Sequence, residues 1–327
     1  MKKLIVILLA VSLLCASSAA LAHDPWILQF ASRGEPGSII ELTVSAFEGA
    51  LVNNSDDTIE LEIDYENQWG DVDAVVQELR GKKSAVALAT LPDDTLLRLG
   101  CAPLAVLSSP FLFRNDAHLK AFLKTDTVQT LQAEVKNKKL SLDGISLLDG
   151  GFYGFALRQR ADSLRGLRLA VPDEQYVAAM VRELGAEPVI LEREAAVATL
   201  KAGEVDGMEV TLEQYDSYGL YDAAPCFFMD RHRVNFYLIV MSDDTWQMAT
   251  RLEQGYLMLS GQYAIEFSTK FRSNREANYL KKLEEAGVVL VEAGDAAAWA
   301  AQCPETVNQA RKDNGKLYQA IAGVKDE

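Results

Sequence analysis

Residues able to do chemistry are few in this chain of 327 residues. There are three histidines, His23, His118 and His232, and four cysteines, of which Cys101, Cys226 and Cys303 lie beyond the first twenty residues. No G-x-S-x-G, P-loop or H-E-x-x-H pattern occurs, so the usual nucleophile, phosphate and zinc signatures of enzymes are missing. Two weak constellations remain. If the chain is cut before His23, its free amine and imidazole form a two-nitrogen grip for copper, needing a third ligand such as His118 or His232; a disordered terminal residue is the plain alternative. Asp206 and Glu209, three apart on a strand, point to opposite faces and make a poor acid–base couple. Asp206 is expected to bond locally and Glu209 to lie near a cleft. Three widely spaced cysteines do not make a disulfide framework; one oxidised pair and three buried thiols both fit.

The elements that must position these residues follow from periodicity. Lys2 and Lys3, an apolar run from Leu4 to Leu14 and the small residues ending at Ala20-Leu21-Ala22 have the form of a secretory signal peptide cleaved after Ala22. Cys15 lacks the preceding small residues that a lipid anchor prefers. The remaining length suggests two domains at about 150 residues each. A net charge of −15 argues against nucleic acid or an anionic membrane as partner. Trp26–Phe30 reads as a strand, 39–51 as a helix, 58–65 as an alternating strand, 71–81 as a helix and 84–89 as a strand. The same grammar recurs in 164–171, 173–184, 188–191, 192–202 and 205–210, so two α/β units with mostly parallel strands are expected, joined across 147–151. An apolar strand over 233–241 leads into a long helix over 245–273, whose stripe is Leu252, Tyr256, Leu259, Tyr263 and Phe267.

Six segments in order resemble the exported solute-binding proteins of tripartite ATP-independent periplasmic (TRAP) transporters, the DctP family. Gln68-Trp69-Gly70 is similar to the family's Q-L-G turn, 110–114 (P-F-L-F-R) to its P-F-L-F segment, and 166–172 (G-L-R-L-A-V-P) to G-L-K-[IV]-R-x-P. Residues 199–209 (T-L-K-A-G-E-V-D-G-M-E) resemble A-L-Q-x-G-x-V-D-G-x-E, 232–246 the strand and Trp that open the long helix, and 283–292 its late helix–strand turn. The resemblance implies an α/β, bilobed periplasmic binding protein of type II-like form. Lobe I would comprise 23–150 with about 238–273, and lobe II 151–237 with about 274–327, closing on a small molecule and delivering it to membrane permease subunits. It implies no enzyme activity and no cofactor, and leaves room for a helical-repeat periplasmic partner.

The ligand rule of the family is broken. The Arg that holds a ligand carboxylate in most relatives aligns with Ala170, a second Arg with Tyr153, the Asn after D-G-x-E with Val210, and a polar position of the first lobe with Ala89 and Thr90. The expectation is therefore a cleft for an apolar or weakly polar ligand, lined by Tyr153, Ala170, Val210, Asn235 and Phe236, with Thr90, Asp173 and Glu209 close by. An organic acid anchored by Arg158 or Arg33 is the alternative.

Overall fold

The computed structural model describes residues 24–34, 37–136, 140–174 and 176–326. The signal-peptide segment, the cleavage position and His23 with its copper grip lie outside them. The first unit opens with β1 (Trp26–Ala31), α1 (Ile39–Ser55), β2 (Ile59–Asp64), α2 (Val72–Leu79), β3 (Leu88–Pro92) and α3 (Asp93–Arg98). Helix starts sit at residues whose side chains satisfy free backbone donors: Ser38 accepts from the N–H of Glu41 at 3.2 Å and Asp71 from that of Ala74 at 2.9 Å. β1 pairs in parallel with β2 and with β3. The strand expected over 84–89 begins later, at Leu88, because Ser84 forms a local turn with Val86.

A 3-10 turn (Ala102–Ser108), α4 (Asp116–Leu123) and α5 (Asp126–Val135) lead into β4 (Leu142–Leu157), sixteen residues long and buried along nearly its whole length. The second unit follows: β5 (Arg168–Val171), α6 (Val177–Glu183), β6 (Glu187–Ile190), α7 (Arg193–Ala202), β7 (Gly207–Thr211), α8 (Leu212–Ser217) and β8 (Cys226–Met229). β9 (Val234–Ser242) returns to the first unit. After it come α9 (Asp243–Met248), α10 (Arg251–Glu285), β10 (Val289–Glu292), α11 (Ala296–Ala300) and α12 (Pro304–Ala322).

One sheet runs through both units in the order β2-β1-β3-β9-β4-β7-β5-β6, with β8 against β4 and β10 beyond it. β4 makes this possible by changing partners: its first half pairs antiparallel with β9, its second half with β7 and β8. The change falls at a register shift between Asp149 and Phe152. Gly151 there has φ +95°, and a Cβ on Gly150 would stand 2.6 Å from the Asn235 carbonyl oxygen, so both positions need glycine. Buried Asp149 accepts from the Gly151 N–H at 2.9 Å and from Arg272 Nε of α10 at 2.7 Å, tying the long helix to the crossing.

The long helix corrects one expectation. It is preceded by a separate α9, because Thr250 and Glu253 form a reciprocal cap that restarts the helix at Arg251. Of its stripe, Leu252, Leu259 and Tyr263 are exposed and Tyr256 packs on the first unit's core, while Gly261 and Ser268 lie against β4 and Ser260 accepts from Asn54 of α1. Close approach explains the small residues of the buried face, since a Cβ on Gly261 would overlap the Ile145 carbonyl. α12 touches both units. Val307 packs with Trp299 and Phe228, whereas Tyr318 and Ile321 pack with Leu104 and Phe122 of the first. The three cysteines among the described residues, Cys101, Cys226 and Cys303, are buried free thiols. Among the described residues no helix is long and apolar enough to cross a membrane.

Candidate functional site

A cavity of about 100 Å³ opens where the two units meet, at the C-terminal ends of β3, β5, β6 and β7. Crevices at such strand ends are where ligands bind in open α/β sheets. The first unit contributes Pro92, Asp93 and Asp94. From the second come Ala170 and Glu174 after β5, Glu192 and Arg193 at the start of α7, Glu209 and Val210 on β7, and Gln214 and Tyr218 of the following helical turn. Tyr153 of β4, with Arg233 and Asn235 at the start of β9, completes the wall.

Charge is concentrated beneath this cavity. Glu209 Oε1 accepts from His232 Nε2 at 2.6 Å and from Arg233 Nε at 2.8 Å, and Oε2 accepts from Arg233 Nη2 at 2.7 Å. The second ring nitrogen of His232, Nδ1, lies 2.8 Å from Asp230 Oδ1. Arg233 Nη2 also reaches Glu174 Oε1 at 3.0 Å, and its guanidinium lies 3.8 Å from the centre of the Tyr153 ring. The Tyr153 hydroxyl donates to Asn235 Oδ1 at 3.0 Å, and the His232 ring stacks on Phe155 at 5.0 Å between centres.

Burial penalises every one of these charges, and the pairing decides which survive. Burial opposes ionisation of Glu209, but Arg233 and His232 outweigh it and bring its pKa down to about 2. For His232 burial favours the neutral ring, yet Asp230 and Glu209 overcome it and raise the pKa to about 9. Glu174 has the opposite balance: burial, with Glu209 and Asp94 nearby, outweighs Arg233 and lifts it to about 7. Asp93, only 7% exposed, is pushed well above the usual carboxylate range by burial and then by Glu174 and Asp94.

Of the residues singled out from sequence, Tyr153, Ala170, Glu209, Val210 and Asn235 line this cavity. Arg33, Thr90, Arg158, Asp173 and Phe236 do not. Thr90 is fully buried and accepts from the backbone N–H of Arg33 at 2.7 Å. The Arg33 guanidinium is held by Asp64 at 3.5 Å and by Asn67. Arg158 donates to the Gly203 carbonyl at 3.2 Å. Asp173 is exposed, and Phe236 sits edge-on to Phe113 in the first unit's core. His118 accepts from the Arg114 N–H and bonds the Ile321 carbonyl, so both described histidines are engaged within the fold.

The apolar cleft expected from Ala170 and Val210 needs correction. Those side chains are where alignment put them, but Asp93, Asp94, Glu174, Arg193 and Arg233 stand around them. Arg233, directly before β9, lies against the ring of Tyr153. Arg193, at the first turn of α7, donates to the Tyr218 hydroxyl at 3.2 Å and also bonds Tyr237. The signal for Arg233 was present in 231–233 (R-H-R), three basic or titratable residues directly before a fully buried, mainly apolar strand.

A cleft between two halves of one continuous sheet, with β4 and β9 crossing beneath it, is the architecture of a bilobed solute-binding protein. The family model described as bacterial extracellular solute-binding protein, family 7 (DctP) matches residues 30–313, and the chain belongs to that family. It is 21% identical to the sialic acid-binding periplasmic protein SiaP of Vibrio cholerae over 86% of this chain and 87% of that one. A solute-binding protein of Sulfitobacter sp. (strain NAS-14.1) is 23% identical over 57% of each chain, so the match spans little more than half of that relative. Among solved structures, a TRAP periplasmic solute-binding protein from Pseudomonas putida F1 with bound D-glucuronate superposes with a TM-score of 0.81 at 18% identity, covering 92% of this chain and 98% of that one.

Proposed function

We propose that the protein captures a small polar solute bearing an acidic group between its two lobes and delivers it to the membrane permease subunits of a TRAP-type transporter. Export by a signal peptide cleaved after Ala22 would place it in the periplasm, where its family works. The lobes correspond to 23–150 with about 238–273 and to 151–237 with about 274–327, with the end of α12 packed back on the first. Neither the copper-binding reading nor a helical-repeat partner gains support from the fold or the relatives.

Arg193 carries the reading. Arg233 is committed to Glu209 and Glu174, whereas Arg193 lines the cavity and, among the described residues, bonds only tyrosine hydroxyls. A guanidinium hydrogen-bonded to neutral groups retains its charge and can turn it on a carboxylate. The D-glucuronate in the Pseudomonas protein is an acid of this kind. The test is mass spectrometry of solute retained by gently purified protein, with calorimetry of Arg193→Met against a panel of small carboxylates, with and without hydroxyl and amino substituents. Loss of a charge-assisted bond of about 1.5–3 kcal/mol should weaken binding by roughly ten- to a hundredfold. Recovery of a solute without an acidic group, or undiminished binding by the variant, would overturn the reading.

A further inference from the structure

Charge around the cleft is out of balance. Five carboxylates line it, Asp93, Asp94, Glu174, Glu192 and Glu209, against two guanidiniums, Arg193 and Arg233. Arg233 is occupied by Glu209 and Glu174. Asp93 and Asp94, on the first lobe, have no ion-pair partner among the described residues. Asp93 is nine-tenths buried, and its only hydrogen bond there is accepted from the backbone N–H of Asp94 at 3.0 Å. A buried carboxylate aimed into a cavity is costly to keep ionised unless a positive group faces it.

Lobe closure makes the imbalance worse. It sets Asp93 and Asp94 of the first lobe against Glu174 of the second, and these like charges add to burial in raising the proton affinity of Asp93 and Glu174. A neutral solute would leave that repulsion in place and an anion would add to it. A positive group would reverse it, and because it would attract both lobes at once it would favour the closed state over the open one. We infer that the solute carries, besides its acidic end at Arg193, a cationic nitrogen seated between the Asp93–Asp94 pair and Glu174. The inference rests on the cleft being the solute site. The solute class is thus an amino acid-like zwitterion rather than a plain organic acid. Acceptance of sugar hydroxyls by the same carboxylates is the competing use.

Calorimetry on the ligand-stripped full chain, with matched probes, separates these. The probes are β-alanine against 3-hydroxypropionate, 4-aminobutyrate against 4-hydroxybutyrate, and D-glucuronate. At least one amino compound should bind about tenfold or more tightly than its hydroxy counterpart, a difference of about 1.4 kcal/mol. Asp93→Asn should remove most of that preference. Asp94→Asn, at a less buried position, carries the same expectation if the first variant fails to fold. Equal or tighter binding of the hydroxy acids or of D-glucuronate overturns the inference and leaves the Arg193 reading standing; absence of binding by every probe overturns both.

Discussion

His232 should make the protein's stability fall with pH over a defined window. It is buried between Asp230 at 2.8 Å and Glu209 at 2.6 Å, and these carboxylates hold its pKa at about 9 against an ordinary value of 6.5. A raised folded-state pKa means that protonation favours the folded chain. The contribution is complete below pH 6.5 and is lost as pH rises through about 9, and the displacement corresponds to about 3 kcal/mol. Other groups also titrate: Glu174 at about 7, and the buried thiols, whose raised pKa values erode stability at the alkaline end. The measurement is therefore a difference. Urea unfolding of the wild-type protein and of His232→Gln between pH 6.5 and 9.5 should show the gap between them shrinking by about 3 kcal/mol, since the thiol contribution is common to both. NMR titration gives the pKa directly, because burial holds the other described histidine, His118, below 6.5. A His232 pKa at or below 6.5, or a gap that does not change with pH, would refute the charged Asp230–His232–Glu209–Arg233 chain on which the site description depends.

Two further outcomes follow from the packing. Ala170→Arg introduces the residue that the sequence resemblance leads one to expect, but here it must enter a cavity of about 100 Å³ lined also by Arg233; overpacking should cost about 1–3 kcal/mol in denaturant unfolding, and calorimetry should show solute affinity lowered by about tenfold or more. Arg272→Met strips buried Asp149 of its partner at 2.7 Å and also breaks contacts to Asp116 and Glu276, each at 2.6 Å. A loss of about 3–5 kcal/mol is expected, measurable by urea unfolding, since a buried charge is left uncompensated.

Elements whose signals are local were legible from sequence. α1, β2, α7 and the glycine stop at Gly203 lie close to where periodicity and capping put them, because each depends on neighbours within a few residues. The stripe of α10 lies largely outside for a physical reason: the helix approaches the sheet so closely at Gly261 that much of its buried face is serine, glycine and alanine, with Leu257 and Ile265 beside them. The site was half legible. Ala170 and Val210 were placed at the cleft, but the inference that losing two arginines empties it of cations required every anchor to keep its place in the chain. Arg233 takes up the space near Tyr153 from a strand eighty residues away, and Glu209 meets His232 across a gap of 23 residues. Such exchanges between strands leave no periodic trace.

The three buried cysteines bear on how closure can be watched. Burial raises the Cys101 thiol to about 11 and the Cys303 thiol to about 12, and moves Cys226 in the same direction, so almost no thiolate is present at neutral pH for an alkylating dye to attack. Among the described residues, a cysteine introduced on an exposed rim of each lobe would then be the only reactive thiol on its side of the cleft. The described part of the chain is in effect already a thiol-silent background, ready to be turned into a fluorescent sensor whose two dyes approach when a solute is caught.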